Sequence, residues 1–177
     1  MWTRPPTFST LILTILEQQV SLASAYAAFK KLKEKIKRVT PQNILALTDA
    51  ELRACYFSRQ KIVYARELAN AIQNSQLNLN QLSLATEDEV RYELKKIKGI
   101  GDWTADVYLM HALRRTDLFP LGDIALVNSL KEIKQLHPQI TKDEMLKIAE
   151  PWRPYRTIAS MILWHAYIKK RNIKIQS

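Results

Sequence analysis

The sequence predicts an all-α protein, and three observations carry that prediction. Glycine is scarce, at 3 of 177 residues. That is about 2% against roughly 7% in an average chain, too few for the turns of an all-β fold or the phosphate loop of a doubly wound one. Apolar residues recur at helical spacing nearly throughout, and nothing alternates convincingly as a strand. A helix-start signal also repeats in one form, as Thr48-Asp49-Ala50-Glu51, Thr86-Glu87-Asp88-Glu89 and Thr141-Lys142-Asp143-Glu144. In each, the threonine hydroxyl accepts from the amide three residues on, while the glutamate reaches back to the threonine's own amide.

In chain order, Phe8, Leu11, Ile12, Ile15 and Leu16 form the first apolar stripe. Leu22, Ala25, Phe29, Leu32 and Ile36 form a second, with Lys30, Lys31, Lys33, Lys35, Lys37 and Arg38 on the remaining faces. The capping boxes open three more helices after Thr48, Thr86 and Thr141. Others are predicted at about 58–74, 103–114, 123–135 and 155–170, making seven to nine in all. The polar run from Gln73 to Gln81 reads as an interhelical loop, and no linker or low-complexity tract divides the chain.

The charge balance indicates a partner. With 27 Lys+Arg against 17 Asp+Glu, the net charge is +10, which is most simply explained by a polyanion such as nucleic acid. The basic runs Lys30–Arg38 and Lys169–Arg171 suit a solvated helix face as well as a DNA contact. No apolar run approaches the roughly 18 residues a spanning helix needs, and the first residues, Met1-Trp2-Thr3-Arg4-Pro5-Pro6, lack a signal-peptide core. Cys55 is the one cysteine, which excludes an internal disulfide and a four-cysteine zinc or iron–sulfur site. His111, His137 and His165 fall on separate segments, which argues against a transition-metal centre.

The three glycines occupy two places. Gly99 and Gly101 flank Ile100 between two predicted helices (a hairpin spanning about 90–114), and Gly122 precedes Asp123. Glycines on both sides of one apolar residue let the turn's amides face outward beside a helix N-terminus, a site for one phosphate. Ile100 then packs down between the helices. A plain αα-turn with a glycine cap fits the same residues.

Beyond these local readings, Leu94-x-x-Ile97-x-Gly99-Ile100-Gly101-x-Trp103-Thr104-Ala105, followed by Phe119-Pro120-Leu121-Gly122-Asp123, resembles the signature of the helix–hairpin–helix (HhH-GPD) DNA glycosylases. It is most similar to the alkylbase, or 3-methyladenine glycosylase II, branch. The resemblance extends over Leu13 to Ser21, Ser58-Arg59-Gln60-Lys61, Trp152-Arg153-Pro154-Tyr155-Arg156 and Ile162-Leu163-Trp164-His165. The β-rich N-terminal domain of some bacterial relatives has no counterpart here, and a leading helix of similar proteins is expected to be missing or trimmed.

The resemblance implies a single unit of two helical lobes, about 22–115 and 1–21 plus 116–177, with a DNA cleft between them. It makes Asp123 the catalytic carboxylate that faces an oxocarbenium-like sugar, at a helix start where the dipole favours negative charge; an N-cap role suits the same residue. Trp103, Trp164 and Tyr108 become the base pocket, since electron-rich rings stack on electron-poor alkylated purines. Trp103 fits equally as a support for the site rather than a ring touching the base. Gln19 and its neighbour Gln18 become the wedge that fills the gap left by a flipped base. Lys98, Gly99, Ile100 and Gly101 become the phosphate-binding hairpin, and backbone carbonyls of Ile97 and Ile100 the holders of a K⁺ or Na⁺.

Some relatives carry a lysine where Trp103 stands. Without that amine no Schiff base forms, so the implied enzyme is a monofunctional, water-using glycosylase without lyase activity or iron–sulfur cluster. The implied partner is double-stranded DNA with alkylated bases, met by a monomer in the cytoplasm or nucleoid, with no membrane. The alternative is a non-catalytic helix–hairpin–helix module that only binds DNA, and Asp123 discriminates between the two.

Overall fold

The computed structural model describes residues 3–173, and within them it contains eleven α-helices, one 3₁₀ turn and no strand. In order these are α1 (Phe8–Glu17), α2 (Leu22–Ile36), α3 (Pro41–Ala46), α4 (Asp49–Ala54), α5 (Arg59–Gln73), α6 (Leu79–Leu84), α7 (Glu87–Lys95) and α8 (Asp102–His111). They are followed by α9 (Ile124–Lys134), α10 (Lys142–Ala149), the 3₁₀ turn Glu150–Trp152 and α11 (Arg156–Lys170). All three predicted capping boxes form, at Thr48, Thr86 and Thr141.

Helix count exceeds the expectation of seven to nine because α3 and α6 have only six residues each. Too short to persist alone, they rest on a polar cap and on tertiary packing. Asn78 caps α6 with bonds to the amides of Asn80 and Gln81, inside the stretch read as a loop. Ile44 of α3 is fully enclosed, and α3 packs along α5.

Within the first eight helices, α1 is packed on by α2, α5 and α8. Leu11, Ile12 and Ile15 have no exposed surface, and burying each such side chain contributes about 1.5–3 kcal/mol. That set of partners corrects the expected lobe boundary, because the N-terminal helix packs with the 22–115 group rather than with 116–177. Residues 1–2 and 174–177 of the predicted lobe lie outside the described residues.

The second group is built on α9 against α11. The segment from Arg115 to Phe119 is stitched along α11. Thr157 donates its hydroxyl to the Arg115 carbonyl at 2.7 Å and accepts from the Leu118 amide at 3.0 Å, and Ser160 donates to the Leu118 carbonyl at 3.1 Å. Arg156 pairs with Asp117 at 2.6 Å, and that guanidinium holds the Asp117 carboxyl below its usual range. These contacts bring the chain from α8 across to α9, so Asp123 is delivered close to the hairpin.

Candidate active site

Asp123 is the N-cap of α9, as its position before the apolar run predicts. Its Oδ1 accepts from the Leu126 amide at 2.9 Å, closing the first turn. Its Oδ2 accepts from the indole Nε1 of Trp103 at 2.8 Å. Each oxygen therefore keeps a lone pair free for another partner. The side chain is half-buried at the surface rather than enclosed. The loop before it approaches Trp103 closely, since a Cβ placed on Gly122 would lie 3.5 Å from the Trp103 Cβ. Trp103 thus spans the space between the hairpin helix and the carboxylate.

The hairpin runs from the end of α7 to Gly101. The Ile100 amide donates to the Ile97 carbonyl at 3.0 Å, closing the turn. Ile97 and Ile100 are both buried, and Lys98 points to solvent. Gly99 has φ +92°, and a Cβ there would fall 2.0 Å from the Tyr64 ring, so only glycine fits. Gly101 is different, with an extended backbone and open space where a Cβ would be.

Nine of the α-helices have a side chain bonding to their first amides, whereas α8, capped by Gly101, and α11, which follows Tyr155, have none. The first amides of α8 are therefore left for an outside acceptor, in the geometry that suits a phosphate. Asp102, in that first turn, is paired with Lys95 at 2.5 Å.

The turn between α1 and α2 carries the two predicted wedge residues, and they behave differently. Gln19 is exposed with φ +57°, a left-handed conformation that a glutamine holds only under constraint. Gln18 is turned inward. Its Nε2 donates to the Gly99 carbonyl at 2.9 Å and to the Thr104 hydroxyl at 3.0 Å. Gln18 is consequently not part of a projecting wedge, which corrects that assignment. Val20, at 45% exposure, is the apolar neighbour of Gln19 that projects instead.

Among the predicted pocket rings, Trp103 is half-buried and holds Asp123, and Trp164 is buried and stacked on His111 with centroids 5.4 Å apart. Tyr108 has no exposed surface, and burial pushes its phenol up to about 12. Its place in a pocket wall is corrected to a place in the core. The C-terminal basic run is also engaged, with Lys170 and Arg171 gripping Glu132 at 3.0 and 2.5 Å. In the other run, Lys35 pairs with Glu51 at 3.0 Å.

Several residues around the site had no assigned role in the sequence. Lys61 donates to the Leu16 carbonyl at 2.6 Å, and Arg4 forms a two-bond pair with Glu17 at 2.6 and 2.8 Å. Tyr64 and Thr104 join them through Gly99 and Gln18. Lys61 stands within the Ser58–Lys61 motif, but nothing local to it names the carbonyl it meets.

The profile of the HhH-GPD superfamily base excision DNA repair protein matches residues 12–154. The DNA-3-methyladenine glycosylase of Bacillus subtilis is 31% identical over 172 residues, covering 90% of this chain and 57% of that protein. Among solved structures, the Schizosaccharomyces pombe 3-methyladenine DNA glycosylase in complex with abasic DNA is similar with a TM-score of 0.83 and 29% identity, over 98% of this chain and 84% of that one. The Bacillus halodurans DNA-3-methyladenine glycosidase is similar with a TM-score of 0.80 and 29% identity, over 98% and 81%. The chain spans somewhat more than half the length of the two Bacillus subtilis curated relatives it matches.

Proposed function

We propose, from the premise that this chain belongs to the HhH-GPD superfamily of base excision DNA repair proteins, that it is a monofunctional DNA glycosylase acting on alkylated purines in double-stranded DNA. The observation that carries the reading is the Asp123 carboxylate, held by Trp103 and the α9 amide beside a hairpin whose helix has no cap of its own. A module that only bound DNA would gain nothing from a fixed carboxylate near phosphates. The names of the similar proteins support the substrate class, and the net charge of +10 supports the polyanion.

In this reading the hairpin grips the backbone, Gln19 enters the stack, and the extruded purine is received near Trp103 and Trp164. The C1′–N bond breaks with its electron pair leaving on the base. Asp123 stabilises the cationic sugar, and water adds to C1′ while its proton passes to the carboxylate. An alkylated purine leaves readily, so strong activation of the leaving group is not needed. A K⁺ or Na⁺ at the hairpin fits the carbonyls of Ile97 and Ile100. The first has one lone pair committed to the Ile100 amide and one free. Such an ion would brace the turn against phosphate. The protein would act as a monomer on DNA in the cytoplasm or nucleoid.

Duplex oligonucleotides that each carry one alkylated purine test the proposal. Asp123→Asn is expected to abolish single-turnover excision while lesion-DNA affinity stays within a few fold, because the charge acts chiefly on the transition state. The wild-type strand should break only after hot alkali, and borohydride should trap no protein–DNA adduct, since Trp103 offers no amine. Excision retained by the Asn variant would overturn the catalytic role, and a trapped adduct would overturn the monofunctional one.

A further inference from the structure

The three residues that lead into the wedge turn are each tied to a different distant segment. The Leu16 carbonyl is held by Lys61 of α5, Glu17 by Arg4 ahead of α1, and Gln18 by the hairpin and α8. Gln19 and Val20, the next two residues, are the first exposed ones. The tie at Gln18 differs from the other two in what it joins. Gly99 is the hairpin residue with positive φ, and Thr104 directly follows the tryptophan that bonds Asp123.

The amide orientation follows from chemistry, because a carbonyl such as that of Gly99 only accepts, so the nitrogen end of Gln18 must face it. One NH₂ group supplies both bonds. Thr104 is buried, so its end of the bond to Gln18 is away from competing water, while Gln18 itself is half-buried.

We infer that Gln18 is a positioning residue, a strut that fixes the height of the Gln19 wedge relative to the phosphate-binding hairpin. It touches neither sugar nor base. A duplex seated on the hairpin amides then meets Gln19 at a set depth, and the insertion point and Asp123 are referred to one backbone anchor. This inference rests on the glycosylase reading and adds to it the part that couples gripping to flipping. A displacement of the wedge by about 1 Å is enough to cost up to a hundredfold in rate.

Flipping is read on the full chain by 2-aminopurine fluorescence next to an alkylated purine, with single-turnover excision and undamaged-duplex affinity measured in parallel. Gln18→Met, similar in size but without a donor, is expected to lower the flipped fraction and the excision rate at least tenfold. Affinity for undamaged duplex should stay within twofold. Gln19→Ala should also lower flipping, and the double variant should be no worse than Gln19→Ala alone, because a strut has no purpose without its wedge. Effects that multiply in the double variant, or a Gln18→Met protein that flips normally, would overturn the inference. So would a parallel fall in undamaged-duplex affinity, which would make Gln18 a mere stabiliser of the hairpin.

Thr104→Val, nearly isosteric, removes the other end of one bond and carries the same expectation if Gln18→Met does not fold. Should the wild type excise no alkylated purine, the glycosylase reading falls by itself. The strut is then judged by amide hydrogen exchange of residues 99–104 in the free protein. Gln18→Met should speed exchange there at least tenfold, and unchanged exchange would refute it.

Discussion

Trp103 illustrates how one side chain can meet a sequence expectation in an unexpected way. Its position implied a ring beside the base, or a support behind it. The indole N–H bonds the Asp123 carboxylate at 2.8 Å, which makes support its visible work. Such a bond to a charged acceptor contributes about 1.5–3 kcal/mol. Trp103→Phe keeps the apolar ring and removes only the donor. It is therefore expected to slow single-turnover excision by about 10- to 100-fold and to lower the Tm by several degrees, with duplex affinity little changed. A full-speed Phe variant would show that Leu126 and the helix alone orient the carboxylate.

At the scale of the element, the two hairpin glycines look equivalent in sequence and are not equivalent in the fold. Gly99 has a left-handed backbone against the Tyr64 ring, whereas Gly101 is extended, with nothing within 4 Å of where a Cβ would stand. Gly99→Ala should cost about 2 kcal/mol or more in stability, a Tm loss of about 4–8 °C for a chain of this size. Gly101→Ala should fold with an unchanged Tm. Its methyl group lies on the open side of the turn, where phosphate is expected, so affinity should fall several-fold for damaged and undamaged duplex alike. Thermal melts and a binding titration on the same two proteins separate the effects. Loss selective for one lesion would contradict a phosphate-reading hairpin.

At the scale of the molecule, the second helix group closes through charge. Glu132 of α9 accepts from Arg171 and Lys170 at the end of α11, and those partners, Arg171 first, lower its carboxyl from 4.5 to about 2. A carboxyl depressed in the folded state stabilises above its unfolded value and loses that contribution as pH falls through the folded one. The stability gap between wild type and Glu132→Gln should therefore be constant from neutral pH down to about pH 5. It should then close progressively toward pH 2, as read by urea melts along that range. A gap that did not change between pH 5 and pH 2 would mean the pair contributes nothing.

Helix class, three capping boxes and the N-cap aspartate are properties of contiguous residues, and the sequence alone determined them. Periodicity 3.6 and a threonine three residues before a glutamate act within one turn of chain. The position of Asp123 beside a hairpin was legible as well, through an extended motif. What the sequence left open are contacts between residues far apart in it. Gln18 and Gln19 are adjacent polar residues of one type, and only the approach of Gly99 and Thr104, more than eighty residues away, turns one inward and leaves the other outside. Tyr108 reads like any aromatic on a helix until the surrounding elements enclose it. The helices α3 and α6 are too short for their own propensity to declare them, and α1 joins the first group because its apolar surface is covered by α2, α5 and α8. Local hydrogen bonds are set by neighbours in the chain, whereas burial and long-range polar pairing are set by which surfaces meet, and that is decided only when the whole chain has packed.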